Sequence, residues 1–188
     1  MRKPVYIKIT DEMKSSMKSR HTSDGRAFSG ASIEGGKGRI YGYLGEEIPI
    51  AQLNGAIRKN TKDYDFVYKG YTFEVKTKVR KDVKMWYDAS VDQSSSHQRP
   101  DFYIFVAVIG PRNFHRKSED FIIDYNYEDS YIMGFIGRDK FFKKARSFNA
   151  GDIDPSNGIK YRDGINLVKY QDLIDFNQIK NLKGKNNG

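Results

Sequence analysis

The chain has 188 residues, the size of one ordinary domain, and its 38% hydrophobic and 14% aromatic content is too high for a disordered protein. It has no cysteine, which excludes a disulfide framework or a thiolate metal site, and its three histidines lack the spacing of metal ligands. The net charge of +9 favours a nucleic-acid partner, and without a membrane-spanning stretch or a secretory signal we expect a cytoplasmic protein.

The first 39 residues are predicted to form a short strand followed by a basic flexible segment. The strand covers PVYIKI at 4–9, and the polar stretch from Asp11 to Arg39 contains a glycine-rich GGKG. Such a composition is typical of a mobile segment or a long loop. Two interpretations stay open for it, a solvated arm and a clamp on the nucleic-acid backbone.

A helix is predicted from Ile40 to Gly55. Its apolar residues roughly follow helical spacing, and Gly55 suits the end of a helix. Pro49 conflicts with a continuous helix, because a proline in the interior removes a hydrogen bond and kinks or divides the element.

The rest of the chain predicts a mixed sheet. Strands are expected at 65–70, 71–79, 86–91, 101–110, 121–125, 131–136 and the start of 165–176, with a short helix at 138–145. The strand at 101–110 is the most apolar run and should be central and buried. We therefore expect one α/β (α+β) core at 40–178, with a central mixed β-sheet of four to six strands flanked by helices, and a disordered tail at 179–188.

One hairpin, at 64–78, brings acidic side chains together. In a two-residue Lys69-Gly70 turn, Gly70 suits the positive φ of a primed turn, and the resulting register places Asp65 directly opposite Glu74. Their Cβ atoms would be about 4.5–5.5 Å apart. Two carboxylates at that distance repel each other unless a cation lies between them, so a divalent metal could bridge them. Carboxylate ligands favour a hard ion, magnesium or manganese.

The face of this hairpin that carries the acids also carries Lys76. Side chains alternate along a strand, so Glu74 and Lys76 share a face with Asp65, while Phe73 and Val75 point into the core. Two acids, a metal and a lysine suit phosphodiester hydrolysis, because the metal activates water and the lysine stabilises the developing charge. The alternative is a solvated, salt-bridged sheet face, since E-x-K is common in a chain that is 30% charged.

These residues resemble the motif of the PD-(D/E)XK nuclease superfamily, in particular its small phage-type members. The resemblance is carried by LGEE at 44–47, DYD at 63–65 and EVK at 74–76, followed by DFYIFVAV at 101–108. It covers residues 40 to about 175 and implies a restriction-endonuclease-like fold, with the nuclease core at 40–178.

The resemblance also implies a role for each residue of the hairpin motif. Asp65 and Glu74 would bind Mg²⁺ or Mn²⁺, together with the main-chain carbonyl of Val75. Lys76 would act on the attacking water. The expected cofactor is therefore a divalent metal held by oxygen ligands.

Outside the hairpin, the resemblance implies two further site residues. Glu46, preferred to Glu47, would aid a metal through water or at a second site. Gln98 resembles a glutamine that some members place near the site, and a surface loop position is an equal alternative. Two features depart from the family pattern: Tyr64 stands where the family name expects proline, and Pro49 interrupts the helix that should present Glu46.

The implied activity is that of a magnesium-dependent DNA endonuclease in phage or mobile-element DNA metabolism, acting in the host-cell cytoplasm. Host DNA degradation, junction resolution and restriction-like cleavage all fit. The residues predicted to bind DNA phosphates are Lys78, Arg80, Lys81, Lys84 and Arg39. A homodimer is also expected, because cutting both strands requires two active sites. Two alternatives stay open, a non-catalytic nucleic-acid-binding protein and a carboxylate site that holds a metal for structure alone.

Overall fold

A computed structural model of the chain describes residues 3–23, 38–59, 61–95, 97–111 and 117–185. The secondary-structure elements in chain order are β1 (Val5–Lys8), α1 (Asp11–Ser23), α2 (Gly38–Ala51), β2 (Ile57–Arg58), β3 (Phe66–Tyr68), β4 (Tyr71–Arg80), β5 (Asp88–Asp92), β6 (Phe102–Ile109), α3 (Glu119–Asp124), β7 (Asp129–Gly137), α4 (Arg138–Lys144), β8 (Arg146–Phe148) and β9 (Ile165–Lys169). Short 3₁₀ turns at Gln93–Ser95, Tyr170–Asp172 and Phe176–Asn181 complete the set.

A six-stranded mixed sheet forms the centre of the protein. Its strand order is β1-β7-β6-β4-β3-β2, in which β4 and β6 are parallel and every other pair is antiparallel. The predicted α/β class, with a mixed sheet of four to six strands, is thereby confirmed. The predicted apolar strand is β6, which lies between β4 and β7 and is buried from Tyr103 to Val108. A strand covered on both faces has no solvent side, which explains its uninterrupted apolar sequence.

The two faces of the sheet are covered differently. On one face α2 packs against the sheet and α1 packs on α2, with Met17, Leu44 and Phe73 among the buried side chains. On the other face lie α4 and a second sheet of three strands, in the order β5-β9-β8, with Phe105 and Val168 in its core. Helices therefore flank mainly one face, and the second sheet covers the other. Sequence reasoning missed this sheet because β8 has three residues and pairs with β9 across a long loop.

The segment after β1 differs from its prediction. Asp11–Ser23 is a helix rather than part of a mobile arm, and its Met13 and Met17, one turn apart, are buried in the core. Asp11 and Glu12 lie in its first turn, where carboxylates favour the helix dipole. The remainder of the predicted flexible segment, including the GGKG stretch up to residue 37, lies outside the described residues.

Two further predictions are wrong. The strand expected at 121–125 lies within and just after α3, a helix capped at its N-terminus by Ser118, whose hydroxyl accepts a hydrogen bond from the amide of Phe121. The tail expected to be disordered packs on the protein as far as Lys185: Ile179 is fully buried, and the amide of Lys185 donates to the carbonyl of Lys69. This segment is ordered by apolar contacts with residues that are distant in the sequence. Its polar composition gives no indication of these contacts.

No helix in the described ranges combines the length and the apolar character needed to cross a bilayer.

Candidate active site

The hairpin between β3 and β4 has the predicted register in its paired positions, but these do not extend to the predicted pair of Asp65 with Glu74. Lys69 and Gly70 have φ of 50° and 80°, the positive values that a type I′ turn requires at both positions. The paired positions run from Tyr68–Tyr71 to Phe66–Phe73. Phe66 and Phe73 stack at 5.0 Å and are fully buried beneath α2. The apolar side of the hairpin is therefore the one that anchors it to the core.

Asp65 lies one step beyond the last pair and is bound to the backbone on both sides of Glu74. Its amide donates to the carbonyl of Phe73 at 2.9 Å. Its Oδ2 accepts a hydrogen bond of 2.6 Å from the amide of Val75. The carboxylate of Asp65 is thus held against β4 at the position of Glu74, whose own side chain is buried.

The ammonium of Lys76 lies between Glu74 and Gln98. Its Nζ is 2.8 Å from Oε1 of Glu74 and 2.9 Å from Oε1 of Gln98. Nε2 of Gln98 donates to the same Glu74 oxygen at 3.1 Å, which closes a triangle of three side chains. Gln98 is held by Nε of Arg138, which donates to its carbonyl at 3.1 Å. The fold therefore brings Gln98 to the motif, as the sequence resemblance implied.

The third acid, Glu46, reaches the site from α2. Its Oε2 lies 2.7 Å from a guanidinium nitrogen of Arg20 and 3.5 Å from one of Arg58. Glu47 shares both arginines with Glu46, pairing with Arg58 and lying 3.8 Å from Arg20, and it also accepts a hydrogen bond of 2.7 Å from Ser16. Of the two adjacent acids, Glu46 interacts electrostatically with Asp65 and Glu74. This agrees with the preference for Glu46 over Glu47.

The acids of this cluster act on one another's pKa values in a largely buried environment. Burial, followed by the charges of Glu74 and Glu46, raises the pKa of Asp65 well above its usual range. Burial raises the pKa of Glu46 to about 7, although Arg20 and Arg58 act in the opposite direction. A buried carboxylate beside other carboxylates resists ionisation unless a cation approaches it. Burial and the neighbouring carboxylates therefore favour the protonated form of Asp65.

A close approach of α2 to β4 places Glu46. A Cβ atom added to Gly45 would lie 1.9 Å from Oγ1 of Thr77, so only glycine allows this contact between helix and strand. The helix continues through Pro49 to Ala51 without division. Pro49 lies in the last turn, two residues before the helix ends, so Glu46 remains within the helix.

The chemistry of the donor set fits a hard divalent ion, since all three acids offer oxygen and two of them have raised pKa values. The three acids are grouped less tightly around one point than the predicted metal site implied. Across the residues that the structure describes, no three acidic or histidine side chains are grouped so as to hold an ion. Each acid instead accepts from nitrogen: Asp65 from Val75, Glu74 from Lys76 and Gln98, and Glu46 from arginine.

The residues predicted to bind DNA phosphates fall into two groups. Lys78 and Arg80 lie on the face of β4 that the second sheet covers. Burial and the charge of Arg80 lower the pKa of Lys78 to about 8, and the Arg80 guanidinium lies 4.9 Å from the ring centroid of Tyr87. Lys81 is exposed, and Lys84 forms a 3.4 Å ion pair with Asp82. Arg39, in the first turn of α2, is half-buried.

Three arginines that contact the site were not predicted. Arg20 and Arg58 bind the acids of α2, and Arg138 binds the backbone of Gln98. Arg20 lies in α1, within the segment predicted to be mobile. These side chains lie far from the motif in sequence, so no local pattern could have indicated them.

Comparisons with known proteins return no relative: no family model matches the chain, and neither a curated protein nor a solved structure matches it. The class of the protein is therefore defined by its own structure, a mixed α/β fold with a cluster on a hairpin of one buried acid, Glu74, and two half-buried residues, Asp65 and Lys76. The functional argument depends on the geometry and chemistry of that cluster.

Proposed function

We propose that the protein is a divalent-metal-dependent endonuclease that hydrolyses DNA phosphodiester bonds. The observation that carries the proposal is the attachment of Asp65 to both chain neighbours of Glu74, with Lys76 2.8 Å from Glu74. Two acids and a lysine on one rigid hairpin, with a third acid facing them, are the groups that metal-assisted hydrolysis needs. The PD-(D/E)XK resemblance adds to this argument.

Each residue has a distinct role in this proposal. Asp65 and Glu74, with the carbonyl of Val75, would hold Mg²⁺ or Mn²⁺, and Glu46 would support the ion through water or at a second position. A bound Mg²⁺ supplies Lewis-acid polarisation of the phosphoryl oxygen and lowers the pKa of its water. Lys76 would orient the attacking water and stabilise the negative charge that develops on phosphorus-bound oxygens.

Gln98 is a positioning residue in this scheme. Its amide oxygen accepts from Lys76 while its amide nitrogen donates to Glu74, so it holds the lysine and the acid at one separation. Loss of Gln98 would leave Lys76 with fewer fixed contacts, and the ammonium would sample more orientations. Catalysis depends on placement within fractions of an ångström, so such freedom lowers the rate.

The proposed substrate and setting follow from the charge and from the resemblance. A net charge of +9 favours a polyanion, and phosphate contacts of this kind give affinity that falls steeply with salt. We place the activity in phage or mobile-element DNA metabolism, in the cytoplasm of the cell or host cell. A homodimer would supply the two active sites that double-strand cleavage needs.

Plasmid cleavage tests the proposal. Supercoiled DNA is incubated with the protein and either Mg²⁺ or EDTA, and nicked and linear products are measured. We expect metal-dependent cleavage, reduced about 10³-fold or more in Asp65→Ala, Glu74→Ala and Lys76→Ala, which corresponds to about 4 kcal/mol of transition-state stabilisation. Asp63→Asn is the matched control, because Asp63 is exposed and two residues from Asp65. Full activity in Asp65→Ala would refute the assignment.

A second candidate function, non-catalytic nucleic-acid binding, is favoured by the ion pairs of the acids. Glu74 is neutralised by Lys76 and Glu46 by Arg20, and such pairs can serve stability alone. Under this alternative, DNA binding is retained without nicking, across linear, branched and single-stranded substrates. The metal-dependence of cleavage therefore separates the two.

A further inference from the structure

A tryptophan side chain lies on the surface between the two sheets. Trp86, in the loop from β4 to β5, is 63% exposed, more than the other large apolar side chains in the described part of the chain. Tryptophan is usually well buried, because its indole is the largest apolar side chain. Exposure of this ring leaves a broad aromatic surface available to a partner.

The turn that carries Trp86 is rigidly held. The amide of Tyr87 donates to the carbonyl of Lys84 at 3.1 Å and closes the turn. The carbonyl of Trp86 accepts from Nζ of Lys169 at 3.3 Å, and the hydroxyl of Tyr87 donates to Asp82 at 2.9 Å. The backbone is thus fixed to β9 and to the loop itself. A loop whose backbone is held in this way loses little backbone entropy when a partner binds.

The surroundings of the ring are cationic. Nζ of Lys84 lies 5.3 Å from the indole centroid, and Lys81 is exposed in the same loop. Arg80 lies over the neighbouring ring of Tyr87 at 4.9 Å. Asp82 is the one acid among residues 80–87, and it pairs with Lys84. An aromatic ring with one lysine beside it and a second in the same loop matches a ligand that offers a planar ring and a negative charge together.

This loop is joined to the candidate active site by β4. Arg80 is four residues beyond Lys76 on the same strand, which is about 13 Å at the rise of a β-strand. A nucleic-acid strand advances about 3.4 Å per stacked nucleotide, so a few nucleotides span that distance. A strand bound at the hairpin is therefore long enough after a few nucleotides to reach Arg80, where the loop that carries Trp86 begins.

We propose that Trp86 is a stacking platform for an unpaired base, and that the substrate of the enzyme is DNA with single-stranded character near the cleavage point. The ligand class in this inference rests on the proposed function. In duplex DNA the faces of the bases are covered by their neighbours, so only an unpaired base can lie on the indole. Lys81 and Lys84 would contact the adjacent phosphates. Stacking on aromatic side chains and basic contacts to the backbone are the usual means of binding single strands.

Trp86 provides its own test, because it is the only tryptophan of the chain. Its fluorescence is recorded in EDTA, in the Asp65→Asn variant, while a dT oligonucleotide or a duplex of equal length is added. We expect strong quenching by the single strand and little by the duplex, and an affinity that falls with salt. An unchanged emission spectrum at saturating single strand, or equal quenching by the duplex, would overturn the proposal.

Variants then separate stacking from other roles of the loop. Trp86→Ala is expected to weaken single-strand binding about tenfold, measured by anisotropy, whereas Trp86→Phe keeps most of the affinity. Phe121→Ala is the matched control, since Phe121 is also exposed and has a lysine 4.9 Å from its ring centroid. Equal losses of single-strand affinity in Trp86→Ala and Phe121→Ala would overturn the proposal.

Two further outcomes are informative. A change in emission that follows protein concentration rather than DNA would identify Trp86 as a contact between copies of the chain, against the proposal. Binding also separates this inference from the proposed function. Intact stacking without any metal-dependent cleavage would support the platform and reject the nuclease. Metal-dependent cleavage of single-stranded and branched DNA that is unaffected by Trp86→Ala would support the nuclease and reject the platform.

Discussion

The amide of Val75 donates a hydrogen bond of 2.6 Å to the carboxylate of Asp65. This side-chain hydrogen bond lies beyond the last backbone pair of the hairpin. It holds the acid against the strand that carries Glu74. The hydrogen bond also favours the ionised form of Asp65, but burial and the neighbouring acids outweigh it. Because the folded protein favours the protonated form of Asp65, a cation bound at this carboxylate would shift it toward the ionised form.

Metal binding is therefore expected to stabilise the protein. Magnesium at 100 times its dissociation constant adds about 2.7 kcal/mol to the free energy of unfolding. The melting temperature is measured with and without Mg²⁺ at constant ionic strength. Asp65→Asn and Glu74→Gln should abolish the increase, and Asp63→Asn should retain it. An increase of the same size in all of these proteins would place the metal elsewhere.

The pH dependence of stability provides a second check on Asp65. Its pKa is raised in the folded protein, so the folded state holds the proton more tightly than the unfolded state. In EDTA, stability should thus fall as the pH rises above the ordinary value of 3.8. Asp65→Asn should lose the part of this slope that the carboxylate contributes. A steeper fall in the variant than in the unmodified protein would contradict the raised pKa.

The two adjacent acids of α2 should behave differently. Glu46 faces the other acids, so Glu46→Gln is expected to lower cleavage at least about tenfold. Glu47 accepts a hydrogen bond from Ser16 and shares Arg58 with Glu46. Glu47→Gln should therefore reduce the free energy of unfolding by about 1 kcal/mol and, in contrast to Glu46→Gln, leave the cleavage rate unchanged. The reverse pattern would identify Glu47 as the acid of the site.

Gly45 and Gly42 offer a matched pair of substitutions on one helix. Gly45→Ala should destabilise the protein by about 1–3 kcal/mol and lower cleavage, because the new methyl group would press α2 away from Thr77. Gly42→Ala meets no atom within 4 Å and should stabilise the helix by up to about 1 kcal/mol. Thr77→Ala, which removes the two nearest atoms, should partly rescue Gly45→Ala. Chemical denaturation of the four proteins measures these effects.

A separate network in the long loop before β9 should control acid stability. Asp154 is fully buried and accepts hydrogen bonds from Ser156 and Arg146, which lower its pKa from 3.8 to about 2. The ionised form therefore stabilises the fold above pH 4, and this contribution is lost as the pH falls toward 2. Asp154→Asn should differ most from the unmodified protein at neutral pH, with Asp120→Asn as an exposed control. A difference that is constant between pH 2 and pH 7 would contradict the ion pair.

Local patterns in the sequence were sufficient for the hairpin and for the central strand. The Lys69-Gly70 turn sets its own register through backbone sterics, and alternation then assigns Glu74 and Lys76 to one face. The strand β6 is recognisable because burial on both faces requires an apolar residue at every position. These features depend on neighbours in the chain, so the sequence alone was enough to predict them.

Only the tertiary structure decided what surrounds the motif. Packing of α1 on α2 brings Arg20 to Glu46, and the loop after β5 brings Gln98 to Lys76. The second sheet and the ordered C-terminal segment likewise form through contacts between distant parts of the chain. Such contacts depend on the complementary shape and charge of surfaces that are distant in the sequence. The hydrophobic periodicity of a local segment therefore does not predict them. The choice of Glu46 over Glu47 is of this kind, because two adjacent residues on a helix differ only in the direction that packing gives them.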